Sequence, residues 1–240
     1  MNLTGKTVLV TGGTDGIGRE IARLLRVKGA TVIVSGRNAE RIAAAEAEGF
    51  EAIGADLSGP AGVETLVAAL AGRTLDILVN NAGMGATYLV DDPIDLDEVD
   101  RCIFLNLSAP IHLATRLLPR LRARPEAMIV NVTSGLAIAP RAGSPVYCAT
   151  KAALRSFTMT LRRQLRDTKV HVLEALPPLV ETAMTAGNRG HAKMPASECA
   201  RQIVAAMEAE RDEANVGATI WLRRLYSLSP AFARRLMLRY

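Results

Sequence analysis

A three-layer α/β/α fold around a doubly wound parallel sheet is the architecture this sequence predicts, and three observations carry it. Short β-branched runs alternate with amphipathic helical stretches along most of the chain. The first such run enters a glycine-rich turn at residues 11–18 (TGGTDGIG) that leads directly into a helical pattern. Every polar residue that invites a chemical role falls at or just past a strand's C-terminal end, or on the helix after it. In a parallel sheet covered on both faces, those ends meet at a switch point where a ligand binds.

Residues 6–10 (KTVLV) read as the first buried strand, and Ile17, Ile21, Leu24 and Leu25 set a helix that closes near Gly29. Between them stand Gly12, Gly13, Gly16 and Gly18. Glycines let a backbone approach a pyrophosphate, and a helix N-terminus offers free N–H groups and a positive dipole end. The spacing is G-x-x-x-G-x-G, and by itself it would also serve a plain tight turn. A second strand at 31–34 ends in Ser35-Gly36-Arg37-Asn38. An acid there would meet ribose hydroxyls, whereas an arginine receives a 2′-phosphate. Gly36 and Arg37 therefore favour NADP(H), with NAD(H) as the alternative and a merely solvated Arg37 as the bland reading. Asp15 repels a phosphate unless it pairs with Arg37.

A charged helix at 39–48, a third strand at 51–55 with Asp56-Leu57 beyond it, a helix at 61–71 and a fourth strand at 76–80 come next. The fourth strand runs into Asn80-Asn81-Ala82-Gly83, which suits a flat ligand or, equally, a turn. A helical stretch at 96–122 contains Pro110 and Pro119, each expected to bend or end it. Asn106 is polar among Ile103, Phe104, Leu105 and Leu107. A fifth strand at 128–132 delivers Thr133-Ser134-Gly135, and a helix to about residue 166 carries Tyr147 and Lys151. A sixth strand at 170–175 ends in Leu176-Pro177-Pro178-Leu179-Val180-Glu181-Thr182. Residues 183–195 read as a mobile flap, 196–209 as a helix and 218–222 as the last strand.

Tyr147 and Lys151 stand four residues apart, which on a helix places them on one face. An ammonium beside a phenol favours phenolate and draws its pKa down from about 10. Such a pair is common in helices by chance. The glycine turn and the Asn131–Gly135 segment NVTSG make it specific.

Taken together, TGGTDGIG, Asp56-Leu57, NNAG, Asn106, Ser134, Tyr147-x-x-x-Lys151 and Pro177…Thr182 resemble the short-chain dehydrogenase/reductase family, in order over roughly residues 4–222. The resemblance implies a Rossmann-type sheet of about seven strands, a nicotinamide dinucleotide, and a homodimer or homotetramer packed through the long helices. It makes Tyr147 the general acid, Lys151 its modulator and a ligand of the nicotinamide ribose, and Ser134 the residue that polarises the carbonyl. Asn106 would keep its helix kinked around a water that relays protons to Lys151. In the same way Gly12, Gly16, Gly18 and Ile17 would line the pyrophosphate, with Thr14 and Asp15 in the same turn. Asp56 and Leu57 would meet the adenine, and Asn80, followed by Ala82 and Gly83, would lie beside the adenosine ribose. Pro177 stands where the backbone passes the nicotinamide, and Val180 and Thr182 match contacts to its carboxamide. Pro178 departs from the family's common Pro-Gly and removes an N–H there, which reads as a stiffer loop. LPPLVET and the basic tail also resemble a bacterial subgroup described as DltE-like, a likeness that specifies no substrate.

Composition bounds the rest. The chain has 240 residues and 49% apolar content, enough for one core, here expected over 1–222 with a basic helical tail over 223–240. No apolar run reaches the ~18 residues of a membrane span and the N-terminus lacks a signal layout, so the expected compartment is cytoplasmic. Cys102, Cys148 and Cys199 are odd in number and show no metal-ligand spacing, so reduced thiols and no metal site are expected. The net charge of +5 belongs to residues 217–240, which hold five arginines and no acid. The remaining body is balanced at 24 basic and 24 acidic residues. Aromatics are only 4%, and nucleic acid is excluded as a partner. From Ser229-Pro230 onward, Phe232, Ala233, Leu236, Met237 and Tyr240 share one helix side. Packing on the body or on another subunit is favoured over contact with an anionic membrane surface.

The expected function is hydride transfer between NADP(H) and a ketone, aldehyde or secondary alcohol. The pocket walls are expected at 84–88, 136–144 and 179–194, with Leu136, Ile138, Leu179, Met184 and Met194 apolar and Arg141 and Glu181 polar. A catalytically silent dinucleotide sensor and a 3-oxoacyl thioester reductase are the alternatives.

Overall fold

The protein was analysed as a computed structural model that describes residues 1–187 and 192–239. The flap's residues 188–191, Gly190 among them, and Tyr240 of the tail lie outside these. Seven parallel strands form one sheet in the order β3-β2-β1-β4-β5-β6-β7. They are β1 Thr7–Thr11, β2 Thr31–Gly36, β3 Glu51–Gly54, β4 Ile77–Asn80, β5 Ala127–Val132, β6 Val170–Leu176 and β7 Glu213–Asn215. The helices are α1 Gly16–Val27, α2 Ala39–Ala47, α3 Pro60–Ala69, α4 Leu96–Ile103, α5 Ala109–Arg122, α6 Pro145–Leu165, α7 Ala196–Glu208, α8 Thr219–Leu228 and α9 Pro230–Met237.

The central strands are apolar at successive positions because both faces of the sheet are covered. Val8 and Val10 face Ile21 and Leu25 of α1 and Ile203 and Met207 of α7. Leu9, between them, faces Leu66 of α3 and Leu113 and Leu117 of α5. The same period of two divides Ile77 and Val79 from Leu78, and Met128 and Val130 from Ile129. Register follows, with Val10 opposite both Val34 and Val79. Because the chain leaves β1 for β2 and returns to β4 on the other side, the C-terminal ends of β1 and β4 open a crevice.

Two expected elements differ in the structure. The helical stretch at 96–122 is divided by a π-helical turn at Phe104–Ser108, in which the Ala109 N–H reaches back to the Phe104 carbonyl. Pro110 explains the position, since it has no N–H for the ordinary bond to the Asn106 carbonyl. Pro119 leaves α5 unbroken. Residues 218–222 are helical, not a strand, and the last strand lies earlier, at β7. Gly217, at φ +52°, turns the chain after Val216, and the Thr219, Ile220 and Trp221 N–H groups then bond three residues back. Ile220 and Trp221 are both exposed, which the alternation of a half-buried strand would not produce. The apolar run Ala218–Leu222 was short enough to fit either period. α8 continues through the expected boundary at 222, and α9 packs on it through the buried Ala233. Among the described residues no helix is long and apolar enough to cross a membrane, and no cluster of metal-ligating side chains forms.

Candidate active site

The crevice is shaped first by atoms its turns lack. Gly12 and Gly16 have φ +63° and +53°, a region other residues enter only with strain. A Cβ on Gly12 would lie 3.0 Å from the Ala82 Cα, and one on Gly18 would overlap the Asn81 amide and the Gly12 carbonyl. Thr11 and Asn81 bind this turn to β4. The Asn81 and Ala82 N–H groups donate to Thr11 Oγ1 at 3.0 and 3.1 Å, and Asn81 Nδ2 donates to the Thr11 carbonyl at 2.9 Å. α1 begins at Gly16 with no side-chain cap, so its first N–H groups stay available in the crevice. Ile17 packs on the core beneath, and Thr14 is buried where a side chain on Gly36 would stand. Thr182 arrives from the far side, its methyl 3.1 Å from where a Gly16 Cβ would lie. These features fit a diphosphate held by backbone.

At the outer end, Arg37 is exposed and only 3.9 Å from Asp56, itself exposed, whose Oδ1 caps the Ser58 N–H at 3.0 Å. Leu57 is buried. Asp15 pairs not with Arg37 but with Arg41, at 2.7 Å. Asn38 caps α2 by accepting from the Arg41 N–H at 2.8 Å, and so fixes the turn that carries Arg41. The repulsion expected from Asp15 is thus neutralised by a residue the sequence reading did not single out, and Arg37 stays available for a phosphate. An arginine four residues after Arg37 was the signal for it.

Deeper in, Asn80 is buried and its Nδ2 donates to Asn131 Oδ1 at 2.8 Å, while its Oδ1 has no partner among the described residues. Gly83 lies against the chemistry, its absent Cβ 3.1 Å from Asn106 Oδ1 and 3.6 Å from Lys151 Nζ. Asn106, fully buried in the π-helical turn, clasps Met84 from both sides. Its Oδ1 accepts from the Met84 N–H at 2.9 Å and its Nδ2 donates to the Met84 carbonyl at 2.8 Å, with Thr150 Oγ1 at 3.1 Å. Its side chain therefore bridges the β4 loop and α6.

Ser134 leaves β5 in extended conformation and accepts from the Leu136 N–H at 3.1 Å, its hydroxyl neighbouring the Tyr147 phenol. Lys151, buried, donates to the Val132 carbonyl at 2.9 Å, and its Nζ lies 5.7 Å from the Tyr147 ring centroid. The expected lowering of the phenol pKa is reversed in the protein by itself. Burial pushes Tyr147 up to about 12 against the neighbouring Ser134 hydroxyl, and burial draws Lys151 down to about 8. The ammonium is held here by the Val132 carbonyl. Pro177 supports the same corner, its carbonyl accepting from the Gly135 N–H at 2.9 Å. The base of the flap is pinned where Val180, buried, pairs with Met194: the Glu181 N–H donates to the Met194 carbonyl at 2.8 Å and the Met194 N–H to the Leu179 carbonyl at 2.9 Å.

Glu174 was also missed. Fully buried on β6, it accepts from Arg155 Nη1 at 2.6 Å and from Thr133 Oγ1 at 2.7 Å, and Arg155 continues to Glu213 at 2.8 Å. This network fixes the residue before Ser134 and the helical turn after Lys151.

A crevice lined by uncapped helix N–H groups at one end and by a serine, tyrosine and lysine at the other defines the class of protein. The sequence profile described as short chain dehydrogenase matches residues 6–193. The chain belongs to the short-chain dehydrogenase family of oxidoreductases. It is 43% identical over 201 residues to the uncharacterized oxidoreductase DltE of Bacillus subtilis, covering 79% of this chain and 77% of that one. It is 35% identical over 184 residues to serine 3-dehydrogenase of Agrobacterium fabrum, covering 75% and 74%. A Burkholderia cenocepacia short chain dehydrogenase in complex with NADP superposes with TM-score 0.88 over 99% of both chains at 24% identity, a likeness of fold. A Sphingobium yanoikuyae short-chain dehydrogenase in complex with NADPH superposes with TM-score 0.81 at 27% identity, covering 96% and 95%.

Proposed function

We propose that the protein reduces a ketone or aldehyde, or oxidises the corresponding secondary alcohol, with NADP(H) as the favoured cofactor. The observation that carries this reading is the convergence of Ser134, Tyr147, Lys151 and Asn106 within one crevice whose other end suits a phosphorylated dinucleotide. The dinucleotide, when bound, supplies or accepts the hydride. Gly12, Gly16 and Gly18 would admit its diphosphate, Arg37 would receive its 2′-phosphate with Asp15 neutralised by Arg41, and Thr182 would bound the same turn. In reduction Tyr147 donates its phenolic proton to the carbonyl oxygen, which Ser134 holds by a hydrogen bond. Burial pushes the Tyr147 phenol up to about 12, so it carries its proton at neutral pH and becomes a stronger acid only as positive charge in the same corner draws it back down. Lys151 contributes positive charge to the same corner, and Asn106 keeps the Met84 wall in place.

The test is Tyr147→Phe. Turnover of carbonyl substrates should fall about 10²–10⁴-fold while NADPH still quenches the protein fluorescence. Turnover at the wild-type rate would remove Tyr147 from the mechanism.

A further inference from the structure

The last two helices, α8 and α9, carry an outward surface that the body does not cover. Thr219 is buried and Arg223 pairs with Glu213 at 3.7 Å, which holds α8 in place. α9 follows after Ser229 and rests on α8 through the fully buried Ala233. Packing on the body was the expectation for the apolar side of this tail, yet of the large apolar residues of α9 only Met237 is half-buried. Phe232 and Leu236 stay exposed. On α8, Trp221 is 67% exposed and Leu228 85%.

Spacing gathers these residues into stripes. Trp221, Arg224 and Leu228 stand three and four apart and so share one side of α8, where the Arg224 guanidinium lies over the Trp221 ring at 4.9 Å. Phe232, Arg235 and Leu236 repeat the same spacing on α9. The charge is of one sign. Residues 217–240 hold five arginines and no acid, and Arg224, Arg234 and Arg235 meet no carboxylate among the described residues. Exposed apolar side chains set among unpaired arginines complement a partner that is anionic at its surface and apolar beneath. A second copy docking this same surface on itself would bring like charges together.

We infer that the α8–α9 surface binds the face of an anionic lipid bilayer, with Trp221, Leu228, Phe232 and Leu236 entering the headgroup region and the arginines meeting anionic headgroups. Two helices present more apolar area than the tail helix alone. Trp221, expected on a strand, joins this surface because residues 219–228 fold as a helix. An indole suits that depth through its amphipathic ring, and an arginine because its stem lies along apolar surface while its head stays in water. The inference is independent of the chemistry proposed for the crevice.

Trp221 is the only tryptophan in the chain, so its emission reports from the surface itself. The full chain is titrated with vesicles of phosphatidylcholine alone and of phosphatidylcholine with about 30% phosphatidylserine, and bound protein is measured by flotation. A blue shift of the emission and co-flotation are expected with the anionic vesicles and not with the neutral ones. Raising NaCl from about 0.1 M to about 1 M shortens the screening length from ~10 to ~3 Å and should release most of the protein. Arg224→Gln/Arg235→Gln/Arg239→Gln should bind roughly 100-fold more weakly. Phe232→Ser/Leu236→Ser should bind roughly 10-fold more weakly. All five positions are exposed, so both variants should fold as the wild type does, which circular dichroism checks. Binding that does not distinguish the two vesicles, or that the arginine variant leaves unchanged, would overturn the inference. So would a wild-type dimer in lipid-free solution that Phe232→Ser/Leu236→Ser returns to monomer, since a second copy would then cover this face.

Discussion

Around the β1–α1 turn the crevice is shaped by what its residues lack, and around Tyr147 by charges the protein holds away from water. Gly12, Gly16 and Gly18 contribute no side-chain chemistry at all. Their effect is steric, since any Cβ would meet Ala82, Asn81 or Thr182 and close the approach to the helix N-terminus. The other end is filled by the buried Asn106, Ser134 and Lys151 and the half-buried Tyr147, with Arg155 and Glu174 buried behind them. The first region can therefore be damaged by adding a methyl group, the second only by altering a proton or a charge. Between them, the Arg37–Arg41 corner joins the two styles, a backbone turn that carries exposed cations.

That corner gives the largest expected effect. On the proposed reading, removing Arg37 deletes the cation that would face a 2′-phosphate, and removing Arg41 exposes Asp15 to it. The double variant Arg37→Ala/Arg41→Ala should lose about 3 kcal/mol of NADPH affinity, roughly 100-fold, with little change for NADH. Fluorescence titration with both dinucleotides measures this, and an equal loss for the two would show that the arginines do not read the phosphate. A purely steric change comes next. Gly18→Ala should cost about 2 kcal/mol, seen as a lower denaturation midpoint and weaker binding of both dinucleotides alike. If NADPH alone weakened, the turn would act through charge and the contrast drawn above would fail.

The smallest effect probes the buried end. Between pH 8 and the ordinary lysine pKa of 10.5, the folded chain has released the Lys151 proton while the unfolded chain retains it. Unfolding then takes up a proton, so stability rises with pH in that window, by up to about 1.4 kcal/mol per pH unit. Urea midpoints at pH 8.0 and 9.5 should therefore diverge in favour of the wild type over Lys151→Met. Parallel midpoints would mean that Lys151 titrates as an ordinary lysine.

Much of the architecture could be read from pattern. Six of the strands, the glycine turn and the Tyr147–Lys151 pair follow from local spacing, because a strand buried on both faces and a helix opened by glycines leave short-range signatures. The misreading at 218–222 came where a five-residue apolar run fits both periods and where Gly217 decides the direction. The division at Phe104–Ser108 was anticipated as a bend at Pro110, but its π-helical form, with Asn106 inside it clasping Met84, emerges only in the folded chain.

The sequence by itself determined most of the sheet, the positions of the crevice-lining glycines and the candidate reacting side chains, since each is written in residues close together along the chain. Only the tertiary structure decided how those side chains are tuned. That Asp15 meets Arg41, that Lys151 serves the Val132 carbonyl and that Glu174 faces Arg155 are consequences of elements brought together from separate positions. Burial and the choice of partner set the charge state of a buried group, and both are properties of the folded surroundings.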